Sequence, residues 1–165
     1  MKIILEGADG TGKTTLAKLL AEKYGLDICH CTRDDPADYD FYKHTARKEN
    51  VVWDRHTIGE LIYPEVFNRQ QQISVEGVRL VLGYARENKG RIFILTTDLG
   101  TIKSRLKNKG EEFSEVIENI EKINEKFLFY ADIFNIPVID TSKMTMQEIF
   151  DLVEKEPKEY KFIHK

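Results

Sequence analysis

The chain has 165 residues, of which 41% are apolar and 32% charged, the profile of a soluble globular protein with length for one buried core. A formal net charge of -3 excludes a global positive field of the kind that grips long duplex nucleic acid, although a local basic cluster can still hold a small anion. The opening Met1-Lys2-Ile3-Ile4-Leu5 turns glycine-rich too soon for a signal peptide or a membrane span, so a cytosolic protein is expected. Cys29 and Cys31 flank His30 without the second ligand pair that a zinc site requires, and are read as reduced thiols at a strand end.

Lys2 to Glu6 is an apolar run stopped by glycine, as a buried strand is, and Leu16, Leu19, Leu20 and Tyr24 then recur at helical spacing until Gly25. Leu26 to Thr32 predicts a second strand, broken by Asp34-Asp35-Pro36, and Tyr39 to Lys48 a helix. Val51-Val52-Trp53 predicts a third strand ending in Asp54-Arg55. The stretch from Ile58 to Asn88 carries helical spacing, as two helices broken near Asn68 to Gln72. Ile92 to Leu95 is the clearest buried strand. A helix follows from about Leu99 to Leu106, then a basic turn over Lys107 to Glu111 and a long helix over Ser114 to Tyr130. Pro137 to Asp140 predicts a fifth strand, Met144 to Glu154 a last helix, and Glu156 to Lys165 a charged tail. Strands alternating with helices argue for one α/β domain over residues 1–165, with a parallel sheet covered on both faces.

Gly7-Ala8-Asp9-Gly10-Thr11-Gly12-Lys13-Thr14 matches G-x-x-x-x-G-K-[ST] between a predicted strand and a predicted helix. Gly7, Gly10 and Gly12 let the chain curl so that the amides of Thr11, Lys13, Thr14 and Thr15 face inward at a helix N-terminus, a geometry suited to polyphosphate. Lys13 is placed to reach the β- and γ-phosphates of ATP and the Thr14 hydroxyl to coordinate Mg²⁺. Asp54 follows a buried strand to the carboxyl edge of the sheet, where it can hold Mg²⁺ or orient the attacking oxygen.

Glu6 to Thr15 also resembles the P-loop of thymidylate kinases, in which an acidic residue stands at the place of Asp9. Asp54-Arg55-His56, with Gly59 and Tyr63 after it, is similar to that family's D-R-Y segment and its later serine and tyrosine, and Thr32-Arg33-Asp34-Asp35-Pro36 loosely resembles its T-R-E-P. The chain departs at His56, Gly59 and Pro64, where the family has tyrosine, serine and glutamine, and at Gly10, where some members carry an arginine. The resemblance implies a three-layer P-loop NTPase fold with a five-stranded parallel sheet in the order 2-3-1-4-5, in a compact member of the family.

It further implies that Asp9 meets the acceptor's 3'-hydroxyl, a turn-stabilising aspartate being the alternative. Arg55 and Arg33 would then contact the acceptor phosphate. Tyr63, Phe67 and Arg69 fall near one helix face, as a wall that stacks on a base or as ordinary core. Arg105, Lys107 and Lys109 sit where the resemblance implies a lid, at about 105–113, a solvated basic helix end being the alternative, and Arg105 is the expected clamp on the donor phosphates. Asp140-Thr141 borders the donor base by analogy with such folds.

The expected partner is a small nucleotide or nucleoside, with no membrane and with the acidic charge set against a polymeric nucleic acid. The resemblance adds a homodimer. The leading expectation is transfer from ATP to a (deoxy)nucleoside monophosphate. A nucleoside, a nucleic-acid end or a modified base is the alternative acceptor, with Asp54 as base. A slowly hydrolysing nucleotide switch is a third reading, for which no suitably placed glutamine is evident.

Overall fold

A computed structural model describes residues 1–32, 34–110 and 114–155. In chain order it contains β1 (Lys2–Gly7), α1 (Lys13–Tyr24), β2 (Asp27–His30), α2 (Tyr39–Thr45), β3 (Val51–Asp54), α3 (Gly59–Val66), α4 (Val75–Glu87), β4 (Gly90–Thr96), α5 (Leu99–Lys107), α6 (Ser114–Ile133), β5 (Val138–Asp140) and α7 (Met146–Glu154). The five described strands are parallel in the order β2-β3-β1-β4-β5, as expected. No helix among the described residues is long and apolar enough to cross a membrane.

The predicted strands and helices are present with small differences at their ends, while the expected charged tail at 156–165 lies outside the described residues. Tyr39 to Lys48 is helical only as far as Thr45, with Ala46 as its cap, and Leu26 to Thr32 narrows to Asp27–His30. β2 is an edge strand whose residues are exposed or half-buried, so apolar pressure does not extend it.

Alternation along β1 splits the core in two. Ile3 and Leu5 face α1 and α7, where they pack with Leu16, Leu20, Ile149 and Val153. Ile4 faces the opposite layer, with Trp53, Ile92, Ile94 and the apolar sides of α2 to α6. All six residues of β1 are buried because it lies between β3 and β4, and register pairs Leu5 with Asp54 on one side and Gly7 with Leu95 on the other. The ends of β1, β2 and β3 therefore lie at one sheet edge, where open α/β folds bind their ligands.

Gly7 permits this closeness. Its φ is 139°, and a Cβ there would lie 2.4 Å from the Leu95 carbonyl oxygen. Gly7→Ala combines a strained backbone with a clash against a central strand, so unfolding in urea should show a loss of more than about 2 kcal/mol.

Candidate active site

The first internal bond of α1 runs from the Leu16 amide to Gly12 O, at 2.9 Å. The amides from Lys13 to Thr15 therefore have no intrahelical acceptor and carry the positive end of the helix dipole. The carbonyl side of the loop is tied by side chains: Thr11 Oγ1 donates to Ala8 O at 2.8 Å, and Thr141 Oγ1 to Thr11 O at 3.1 Å. Lys13 is buried inside the curl, with Nζ donating to Gly7 O at 2.8 Å and Ala8 O at 2.7 Å. Burial pulls its pKa down to about 8, opposed by the carboxylates of Asp54 and Glu6. The loop opens onto a cleft of ≈ 830 Å³ whose walls include Gly12, Lys13, Thr14, Thr15, Asp54 and Arg105.

Thr14 Oγ1 donates to Asp54 Oδ2 at 2.5 Å, and Asp54 is only 3% exposed. A hydroxyl beside a carboxylate at the phosphate cradle fits a hard divalent cation, which takes oxygen donors. From the opposite side Arg105, in the last turn of α5, donates Nη1 to Gly10 O at 2.9 Å. Gly10 has a φ of 82°, and a Cβ there would stand 3.2 Å from Ile102 O, so the loop presses closely on α5 at this point. A guanidinium thus reaches the loop at the position where the sequence lacks one. Lys109 and Asn108 also line the cleft, whereas Lys107 is exposed and does not line it.

A second cleft, of ≈ 680 Å³, has Glu6 and Gly7 of β1 among its lining residues. Asp9, Arg55, Tyr63, Phe67 and Arg69 all line it, but α3 ends at Val66, so Arg69 comes from beyond the helix and not from the helix face that its spacing suggested. Tyr63 and Phe67 stack with ring centroids 6.2 Å apart, and the Arg69 guanidinium lies 5.1 Å from the Phe67 ring centre. Asp9 has two partners that the sequence did not foretell: Tyr63 donates its hydroxyl at 2.8 Å, and Arg55 forms an ion pair with the other carboxylate oxygen. Arg55 holds a φ of 75°, unusual for a side chain of its size, and its amide donates to Leu5 O at 3.0 Å. Asp9, Cys31, Thr32 and Arg55 line both clefts, so the two meet there. Arg33 lies outside the described residues, as do residues 111–113 of the expected lid.

Two carboxylates after strands are structural. Asp98 caps α5 by accepting from the Thr101 amide at 2.8 Å. Asp140 accepts from the Ser142 amide at 3.0 Å and hydroxyl at 2.6 Å and pairs with Lys143, which leaves Thr141 as the member of that pair touching the phosphate loop.

Glu6 was missed, although a carboxylate within an apolar strand is itself a signal. Its Oε1 accepts from the Ile58 amide at 2.7 Å, which fastens the start of α3 to β1. Burial raises its pKa to about 7 despite that bond and the nearby Lys13 and Arg55 charges. His56, in place of the family tyrosine, is buried against Tyr42 and Trp53 with Nε2 2.9 Å from Thr45 Oγ1. Burial lowers its pKa to about 3, so it is neutral at physiological pH. Cys31 is buried, and loss of solvent raises its thiol pKa, which agrees with a reduced, inert cysteine.

The fold and the loop together define a P-loop nucleotide-binding protein. The chain belongs to the family described as the AAA domain, whose model matches residues 3–123. It is 26% identical to a probable thymidylate kinase of Methanocaldococcus jannaschii, with 90% of this chain and 91% of the relative covered. It is also 26% identical to cytidylate kinase 2 of Borreliella burgdorferi, with 94% of each covered. Among solved structures, the YorR protein of Bacillus subtilis, in complex with phosphorylated GDP, shares the fold at a TM-score of 0.77. That match has 22% identity and covers 93% of this chain and 94% of the other.

Glu6 gives a pH signature. A folded-state pKa near 7, above the ordinary 4.5, means that the folded form holds a proton which the unfolded chain has released. Stability contributed by this group therefore falls as pH rises from about 4.5 to 7, and the cost is fully present above that window. In urea unfolding from pH 4.5 to 8, the stability of Glu6→Gln relative to the parent protein should climb steadily across the window and level off above it.

Proposed function

We propose that the protein is an ATP-dependent kinase of a (deoxy)nucleoside monophosphate, similar in its chemistry to thymidylate kinase. The nucleotide-kinase class rests on the family, on the thymidylate and cytidylate kinases it is similar to, and on the intact phosphate loop. The observation that carries the acceptor reading is the meeting of two clefts at Asp9 and Arg55. One is lined by the phosphate loop, the other by an aromatic pair and two arginines.

In this reading the triphosphate lies along the amides from Lys13 to Thr15, and Lys13 exchanges the loop carbonyls for the β- and γ-oxygens. Mg²⁺ bound beside Thr14 and Asp54 supplies charge compensation for the phosphates. Arg105 clamps the donor from above, as part of a lid at about residues 105–113 of a single 1–165 domain. The acceptor base lies against Tyr63 and Phe67, with Arg69 at the rim. Arg55 turns its guanidinium to the acceptor phosphate, and Asp9 orients both that arginine and the sugar. Transfer then depends on positioning and charge, with little covalent chemistry from the protein.

Asp54 lines the donor cleft and is absent from the residues that line the acceptor cleft, which favours a cation-side role over that of a base on a nucleoside hydroxyl. The switch reading is weakened because no glutamine among the described residues lines the donor cleft, and Gln71 donates to Ile73 O at 2.5 Å.

An ADP-release assay over deoxynucleoside monophosphates, free nucleosides and oligonucleotides tests the proposal. Turnover with at least one monophosphate and not with its nucleoside is the expected outcome. Hydrolysis-level ADP release with every monophosphate would refute it. Arg55→Ala should raise KM for that monophosphate by roughly tenfold or more while leaving KM for ATP within about threefold. Arg105→Ala should lower kcat by about 10²–10³, the scale for removing one group that stabilises developing charge, and calorimetry should show a smaller change in ATP affinity.

A further inference from the structure

The donor cleft contains an imidazole to which the proposed mechanism gives no task. His30 is the last residue of β2, and sheet register pairs it directly with Asp54 of β3. Residues paired across neighbouring strands point their side chains to the same face. His30 Nδ1 lies 3.4 Å from Asp54 Oδ2, the same oxygen that accepts from Thr14 Oγ1 at 2.5 Å. All three residues line the phosphate-loop cleft. Three potential donors from β2, β3 and α1 thus converge on one place.

We infer that His30 is a third donor to the divalent cation held beside Thr14 and Asp54, and that it shifts the site's preference from Mg²⁺ towards borderline-soft ions such as Mn²⁺ and Co²⁺. The inference rests on the cation reading of Thr14 and Asp54 given above.

Spacing supports it. Neighbouring ligands at metal bonds of about 2.0–2.2 Å stand roughly 2.8–3.1 Å apart in an octahedral shell and roughly 3.3–3.6 Å apart in a tetrahedral one, and the His30–Asp54 distance falls in the tetrahedral range. Chemistry supplies the selectivity. Mg²⁺ takes oxygen donors and adds an imidazole reluctantly, whereas affinity for a nitrogen-containing site rises from Mn²⁺ to Co²⁺ and beyond. The His30 side chain is 50% exposed, so its ring can move the fraction of an ångström that ligation requires while Asp54, at 4%, stays fixed.

A simple histidine–aspartate contact that only steadies Asp54 would make a different prediction, because its loss would affect every cation alike. Titrating the nucleotide-free protein with CoCl₂ and, separately, MgCl₂ by calorimetry distinguishes the two. His30→Ala and His30→Gln should each weaken Co²⁺ binding by about tenfold or more, with Mg²⁺ affinity held within about threefold. The visible absorption of bound Co²⁺ should change in the same variants and stay unchanged in His44→Ala, which alters a histidine of α2. Unchanged Co²⁺ affinity in both His30 variants, or a parallel fall for Co²⁺ and Mg²⁺, would overturn the inference. These readouts involve neither acceptor nor turnover, so they fail or succeed separately from the kinase assay.

Discussion

The site depends on one packing constraint: β1 must run through the centre of the sheet with its last residue pressed against β4. Gly7 alone meets that constraint, because any Cβ there would enter the Leu95 carbonyl. Once β1 is seated, the phosphate loop leaves the sheet at a fixed point and the end of β3 arrives beside it, with Leu5 and Asp54 in register. Thr14 can then reach Asp54 across 40 residues of chain.

Around that seat the protein buries charge, which is costly unless each group is compensated. Lys13 is held by two loop carbonyls and by the field of Asp54 and Glu6. Asp9 is held by Arg55 and Tyr63, and Glu6 by the Ile58 amide. The groups that would meet phosphate and sugar are thereby fixed by one another. Such mutual support is the preorganisation that phosphoryl transfer asks of a protein, since the chemistry is largely electrostatic.

The same network links the two clefts. Asp9 and Arg55 line both, so a change at one side of the loop reaches the other through a single ion pair. Arg105 donates to Gly10 O, at a point where the loop packs tightly against Ile102.

Much of this was legible in the chain. The phosphate loop, the strand–helix alternation and the strand-end position of Asp54 follow from short-range rules: glycine conformations, periodicity, and a lysine and hydroxyl at fixed offsets. Tyr63 and Phe67 could be grouped because side chains four residues apart share a helix face, whereas Arg69 reaches the Phe67 ring from beyond the end of α3. Pairings between distant segments were beyond sequence. Arg55 with Asp9, His30 with Asp54, Arg105 with Gly10 and Glu6 with Ile58 each join segments from 24 to 95 residues apart, and only sheet register and helix packing bring them together. Local chemistry therefore determined which ligand class the chain is built to hold, and tertiary contact decided which charges face one another, because a carboxylate's role is set by the neighbour it meets rather than by the residue beside it in sequence.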